Sequence, residues 1–182
     1  MATRAISPYA QLPNALTVFR LVLIPVFVVV LLGADEGRSV PAFVVFAVAG
    51  TTDQVDGWLA RRWRVESAFG KVADPLADRL LIDSAVVLLF LADRLPWVAL
   101  AAILARDVVL VAGYKLVVPR GYDLSVSGLG KLATWVLYAS LGFMLLTGAG
   151  TSWPLWLFWA GLVLAVAAAA LYVRAALRGV RT

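Results

Sequence analysis

The sequence predicts an all-α fold: a single polytopic membrane domain over residues 1–182, built as a bundle of six transmembrane helices. Composition comes first. The chain is 63% hydrophobic and 15% charged, far more apolar than a soluble domain of this size needs. Spacing comes second. The charges fall between apolar runs at about 14–33, 39–60, 70–91, 96–118, 128–147 and 153–176, each close to the ~20 residues that cross a bilayer. The third observation is where the basic residues lie. With the N-terminus inside, Arg4, Arg61, Arg62, Arg64, Lys71, Lys115, Arg120, Lys131, Arg174, Arg178 and Arg181 gather on the cytoplasmic side, and the outer connections keep Arg38 and Arg94. That bias predicts cytoplasmic termini. It also accounts for the net charge of +5 through topology and anionic headgroups, so nucleic acid is not expected as a partner.

Residues 1–13 are short and polar, with Pro8 and Pro13, and suit a short interfacial helix lying on the membrane. The first span has too long an apolar core for a signal peptide and no evident small-residue cleavage site, so its retention is expected. Arg20 inside it is expected to face a polar site, the alternative being a snorkelling arginine. The turn at 34–38 reads as ordinary and solvated. The arginine-rich connection 62–69 is short enough to hold the second and third helices antiparallel and adjacent. Pro75 is expected to bend the third helix. The connections at 92–95 and 148–152 are minimal, whereas 119–127 (Pro119-Arg120-Gly121-Tyr122-Asp123) is turn-rich and suits a mobile lip over a cytoplasmic site. Trp58, Trp97, Trp153 and Trp156 near span ends read as interfacial belts.

The chemistry is concentrated in Asp53-x2-Asp56-Gly57-x2-Ala60-Arg61-x8-Gly70-x3-Asp74-x3-Asp78. Residues three or four apart share a helix face, so Asp53/Asp56 and Asp74/Asp78 form two carboxylate ledges. An ionised carboxylate within a span costs about 2.5–3.5 kcal/mol on the lenient insertion scale, and four together repel one another. A bound divalent cation relieves both costs, and an all-oxygen donor set selects Mg2+ or Mn2+. One ion or two can be held; a pair about 4 Å apart suits phosphoryl chemistry. Gly57, Ala60 and Gly70 lack bulk where backbones approach each other or a ligand, and Arg61 can fork onto a phosphate. The chain has no histidine and no cysteine. That removes Ser-His-Asp triads, His-based zinc and thiolate chemistry, and makes a carboxylate the leading general base, ahead of lysine or tyrosine.

This motif, with these spacings, resembles the signature of the CDP-alcohol phosphatidyltransferase family of integral membrane enzymes. Pro13-Asn14-Ala15-Leu16-Thr17 with Arg20 and Pro25 is similar to the family's first helix, and Asp74-Pro75-x-Ala77-Asp78-Arg79 to its third. Ala105-Arg106-Asp107 and Gly130-Lys131-x2-Thr134 match the branch containing cardiolipin and phosphatidylglycerophosphate synthases. The likeness covers nearly the whole chain. It implies transfer of the phosphatidyl group of CDP-diacylglycerol to an alcohol with release of CMP, and a homodimer in the membrane. It places the metals on Asp53, Asp56, Asp74 and Asp78, with Asp78 also the base, and the CDP moiety against Gly57, Ala60, Arg61 and Gly70.

Acceptor candidates are Arg106, Lys115 and Lys131. Arg106 and Asp107 either pair with neighbours or line the acceptor pocket. Lys131 either contacts phosphate or anchors its helix. Asp83 lies off the Asp74/Asp78 face and suits helix pairing. Phosphatidylglycerophosphate synthases typically place an arginine where this chain has Tyr114, and the run from Ala105 to Lys115 resembles the family's cardiolipin synthases instead. The acceptor this resemblance implies is phosphatidylglycerol, giving cardiolipin, with glycerol 3-phosphate as the alternative. Two rivals come from other classes. A small cation transporter explains the acids but leaves Gly57, Arg61 and Gly70 without a phosphate, and its site belongs nearer the midplane. A purely structural subunit needs no four-acid site.

Overall fold

The computed structural model describes residues 8–63, 68–117 and 128–179. Within them are six long helices: α1 (Pro8–Leu32), α2 (Val40–Trp63), α3 (Ala68–Leu91), α4 (Trp97–Val117), α5 (Gly128–Leu146) and α6 (Trp153–Gly179). Residues 1–7 with Arg4, the residues at 64–67, the proposed lip at 119–127 and Arg181 lie outside this set. The helix bounds follow the apolar runs, because each run ends at a cluster of charge, proline or glycine. One expectation changes. Residues 8–13 are not a separate interfacial helix; they open α1, where Pro8 suits a first helical position that needs no N–H. α3 runs as one helix across Pro75, a proline of the kind a membrane helix tolerates.

The outward surface of the bundle is apolar as well as its interior. Phe27, Phe46, Leu81, Leu89, Ile103, Leu137, Leu141 and Phe158 fill the interior, while Val29, Val108, Trp156 and Val163 are more than 60% exposed. Apolar side chains on both the inside and outside of a helix bundle are what a lipid surround permits. Among the described residues, three helices are long and apolar enough to cross a membrane: Ala15–Leu32, Gly128–Leu146 and Trp153–Leu171. Val40–Thr52 is a shorter apolar run. α5 packs most extensively on α6, and α1 packs on α2 and α3; α2 also touches α3 and α5.

The alternating chain direction gives the bundle two unlike ends. One carries the turns 33–39, 92–96 and 147–152 and is stitched by polar contacts. The Arg94 guanidinium donates to Glu36 O (3.3 Å), Thr147 Oγ1 (3.4 Å) and Gly148 O (3.2 Å), so one side chain from the α3–α4 turn holds both other turns. Arg38 Nε donates to Leu146 O at 3.2 Å, and Ser39 N to Leu145 O at 2.8 Å. Partial burial pulls the Arg94 pKa below its ordinary value, against the opposing influence of Glu36. The 34–38 turn is thus more than solvated loop. Asp35–Gly37 forms a 3-10 turn in which Gly37 is buried at φ +67°. A Cβ there would lie 2.8 Å from Ala92 Cβ, so glycine is required by both conformation and space.

Candidate active site

The opposite end carries the motif. Asp53 and Asp56 lie on the last turns of α2, Asp74 and Asp78 on the first turns of α3, and these two helices touch. The helical backbone bears out the three- and four-residue spacings that put each pair on one face. The side chains of Asp53, Asp56, Gly57, Ala60, Arg61, Gly70, Asp74 and Lys115 lie outside the described residues, as does that of Tyr114. Among the described residues no three potential metal ligands come together; Asp78 is the motif carboxylate that falls within them.

Asp78 is half-buried, and the Tyr138 hydroxyl of α5 donates to its Oδ1. The Tyr138 ring packs on Phe46 with centroids 5.3 Å apart, and Phe46 packs on Phe27 at 5.5 Å. Gly50 of α2 makes room for it: a Cβ there would sit 2.9 Å from Tyr138 Cε1. Sequence reasoning missed Tyr138. The available signal was the polar stripe Lys131, Thr134, Tyr138 on an otherwise apolar helix, at spacings that share one face.

Arg20 is fully buried in α1, inside the bundle and away from the surface position of a snorkelling side chain. A second polar cluster lies where α3 meets α4. Arg79 donates from Nη1 to Asp107 O at 3.0 Å, and Arg106 Nη1 stands 3.6 Å from Asp107 Oδ1. Asp83 interacts with Asp107, Arg106 and Arg79. Five residues beyond Asp78, Asp83 faces away from the motif ledge and into this α3–α4 contact. Arg106 therefore has a neighbouring partner, and Lys131 stands exposed at the start of α5.

Comparison with known proteins decides the family. The model of the CDP-alcohol phosphatidyltransferase family matches residues 10–167, a span that takes in the whole motif and Tyr138. The chain belongs to the CDP-alcohol phosphatidyltransferase family. It is similar to a Bacillus subtilis CDP-diacylglycerol–glycerol-3-phosphate 3-phosphatidyltransferase, 36% identical over 75% of this chain and 77% of the relative. An Escherichia coli protein of the same description is 34% identical over 88% of each chain. A Mycobacterium tuberculosis protein described as a probable phosphatidylglycerophosphate synthase is 38% identical over 78% of this chain and 68% of its own. This member of the family is accordingly a membrane transferase of phospholipid synthesis acting on a CDP-alcohol.

Proposed function

We propose that the protein transfers the phosphatidyl group of CDP-diacylglycerol to glycerol 3-phosphate, releasing CMP and forming phosphatidylglycerophosphate. The observation that carries this reading is the likeness, at 34–38% identity over most of each chain, to relatives described as enzymes of that reaction. It favours this acceptor over the expected phosphatidylglycerol with a cardiolipin product, an expectation that rested on the aromatic Tyr114 and on the resemblance of the run 105–115 to cardiolipin synthases. Physically, the phosphate of glycerol 3-phosphate needs a cation, and Lys131, Lys115 and Arg106 are candidates to supply it in place of an arginine at 114.

The site faces the cytoplasm in this proposal, with both termini inside and six spans, following the basic-residue bias. A homodimer, as the family likeness implies, is part of it. The donor set suits a hard divalent ion: the motif offers carboxylate oxygens, and the chain contains no histidine or cysteine to favour a softer metal. Asp53, Asp56, Asp74 and Asp78 would hold Mg2+ or Mn2+, which when bound neutralises the diphosphate charge. Arg61 grips a phosphate oxygen, while Gly57, Ala60 and Gly70 let the CDP moiety lie close to the backbone. Asp78 accepts the proton of the acceptor hydroxyl. The freed oxygen attacks the phosphorus attached to diacylglycerol, the bond from that phosphorus to the bridging oxygen breaks, and CMP leaves with the bond electrons.

The test offers purified protein CDP-diacylglycerol with either glycerol 3-phosphate or phosphatidylglycerol as acceptor and identifies products by mass. CMP release with phosphatidylglycerophosphate formation is expected. Cardiolipin formed from phosphatidylglycerol, with no turnover of glycerol 3-phosphate, would overturn the acceptor and leave the chemistry standing.

A further inference from the structure

The hydrogen bond from Tyr138 to Asp78 joins residues 60 positions apart in the chain, on helices that come together only in the folded bundle. Packing alone does not call for that hydroxyl. Phe46 on one side and the gap left by Gly50 on the other would accept a phenylalanine ring equally well. A tyrosine in such a place gains a polar tip that needs a partner, and here the partner is a motif carboxylate. Rotation of a carboxylate about its Cβ–Cγ bond is soft and roughly two-fold. A donor fixed on Oδ1 restricts that rotation and makes the two oxygens unlike: one accepts the phenol, the other does not. The phenol is itself held, because the Gly50 gap seats the ring between α2 and α5.

We propose that Tyr138 is a positioning residue for the transferase reaction, its hydroxyl fixing the orientation in which the Asp78 carboxylate meets the acceptor hydroxyl. The role rests on the reading of Asp78 as proton acceptor, and it adds α5 to the helices that build the reacting centre. Tyr138 does not touch substrate in this scheme; it acts through Asp78.

The experiment measures kcat and the KM for each substrate, by CMP release, for wild type, Tyr138→Phe, Gly50→Ala, the Gly50→Ala/Tyr138→Phe double variant and Asp78→Asn. Tyr138→Phe keeps the ring and removes only the donor. It is expected to lower kcat about 10- to 100-fold, the size of a lost hydrogen bond to a charged group, with the KM for CDP-diacylglycerol little changed. Gly50→Ala, which displaces the ring and leaves the hydroxyl on the chain, is expected to lower kcat as well. The double variant should be no worse than the more impaired single one, as for two changes acting through one contact. Wild-type kcat in Tyr138→Phe beside an inactive Asp78→Asn would overturn the role of Tyr138 alone. So would a Tyr138→Phe defect confined to KM, which would make the residue part of nucleotide binding. An Asp78→Asn variant as active as wild type would instead overturn the reading of the site on which the proposal stands.

Discussion

In the proposed reaction Asp78 has two roles, metal ligand and proton acceptor, and substitution separates them. Asp78→Asn is expected to reduce turnover more than CDP-diacylglycerol affinity, whereas Asp56→Asn, removing a ligand without a second task, should damage both. Equal loss of nucleotide binding in the two variants would leave Asp78 as another ligand. The measurement is the KM and kcat of each protein beside a direct binding titration. The motif acids were legible in sequence because a carboxylate inside an apolar run is costly and helical spacing is periodic. Tyr138 was not legible in the same way. An aromatic residue on an apolar helix is ordinary, and the partner that gives it meaning lies 60 residues away.

At the scale of elements, the six helices were readable because span length and charge placement are properties of the local sequence. The connections between them were not. The turn at 34–38 looks solvated by composition, yet Gly37 is buried against Ala92 at a positive φ. Gly37→Ala is expected to destabilise the fold by about 1–3 kcal/mol, the usual cost of a strained backbone conformation, read as a lower melting temperature in detergent. Its effect on turnover per folded molecule should be small, because the turn lies at the end of the bundle away from the motif. The α3–α4 contact gives a complementary expectation. Asp83 belongs to the Arg79, Arg106 and Asp107 cluster and sits off the Asp78 face, so Asp83→Asn should cost activity far less than Asp53→Asn or Asp74→Asn. A loss as deep as theirs would mean that the cluster and the motif form one site.

For the whole molecule, metal dependence is the broadest expectation. Thorough chelation should abolish CMP release by the purified protein, and Mg2+ or Mn2+ should restore it; full activity after chelation would remove the metals from the scheme. Membrane residence was legible from composition, and the burial pattern agrees with it, apolar side chains lining both the interior and the outward surface. The acceptor was not legible, since a single aromatic at 114 does not by itself decide whether a phosphate is bound.

Arg94 has a consequence for how the molecule comes apart. A bundle of three helical hairpins, each closed by a short turn, could lose them one at a time, but this side chain reaches from the α3–α4 turn to both of the others. Unfastening any hairpin at that end disturbs the other two, which favours all-or-none melting over stepwise loss. Helical circular dichroism and tryptophan fluorescence should therefore report coincident unfolding curves for the wild-type protein. In Arg94→Ala the two curves should separate, with Trp97, Trp153 and Trp156 near that end sensing the loss before the helices as a whole.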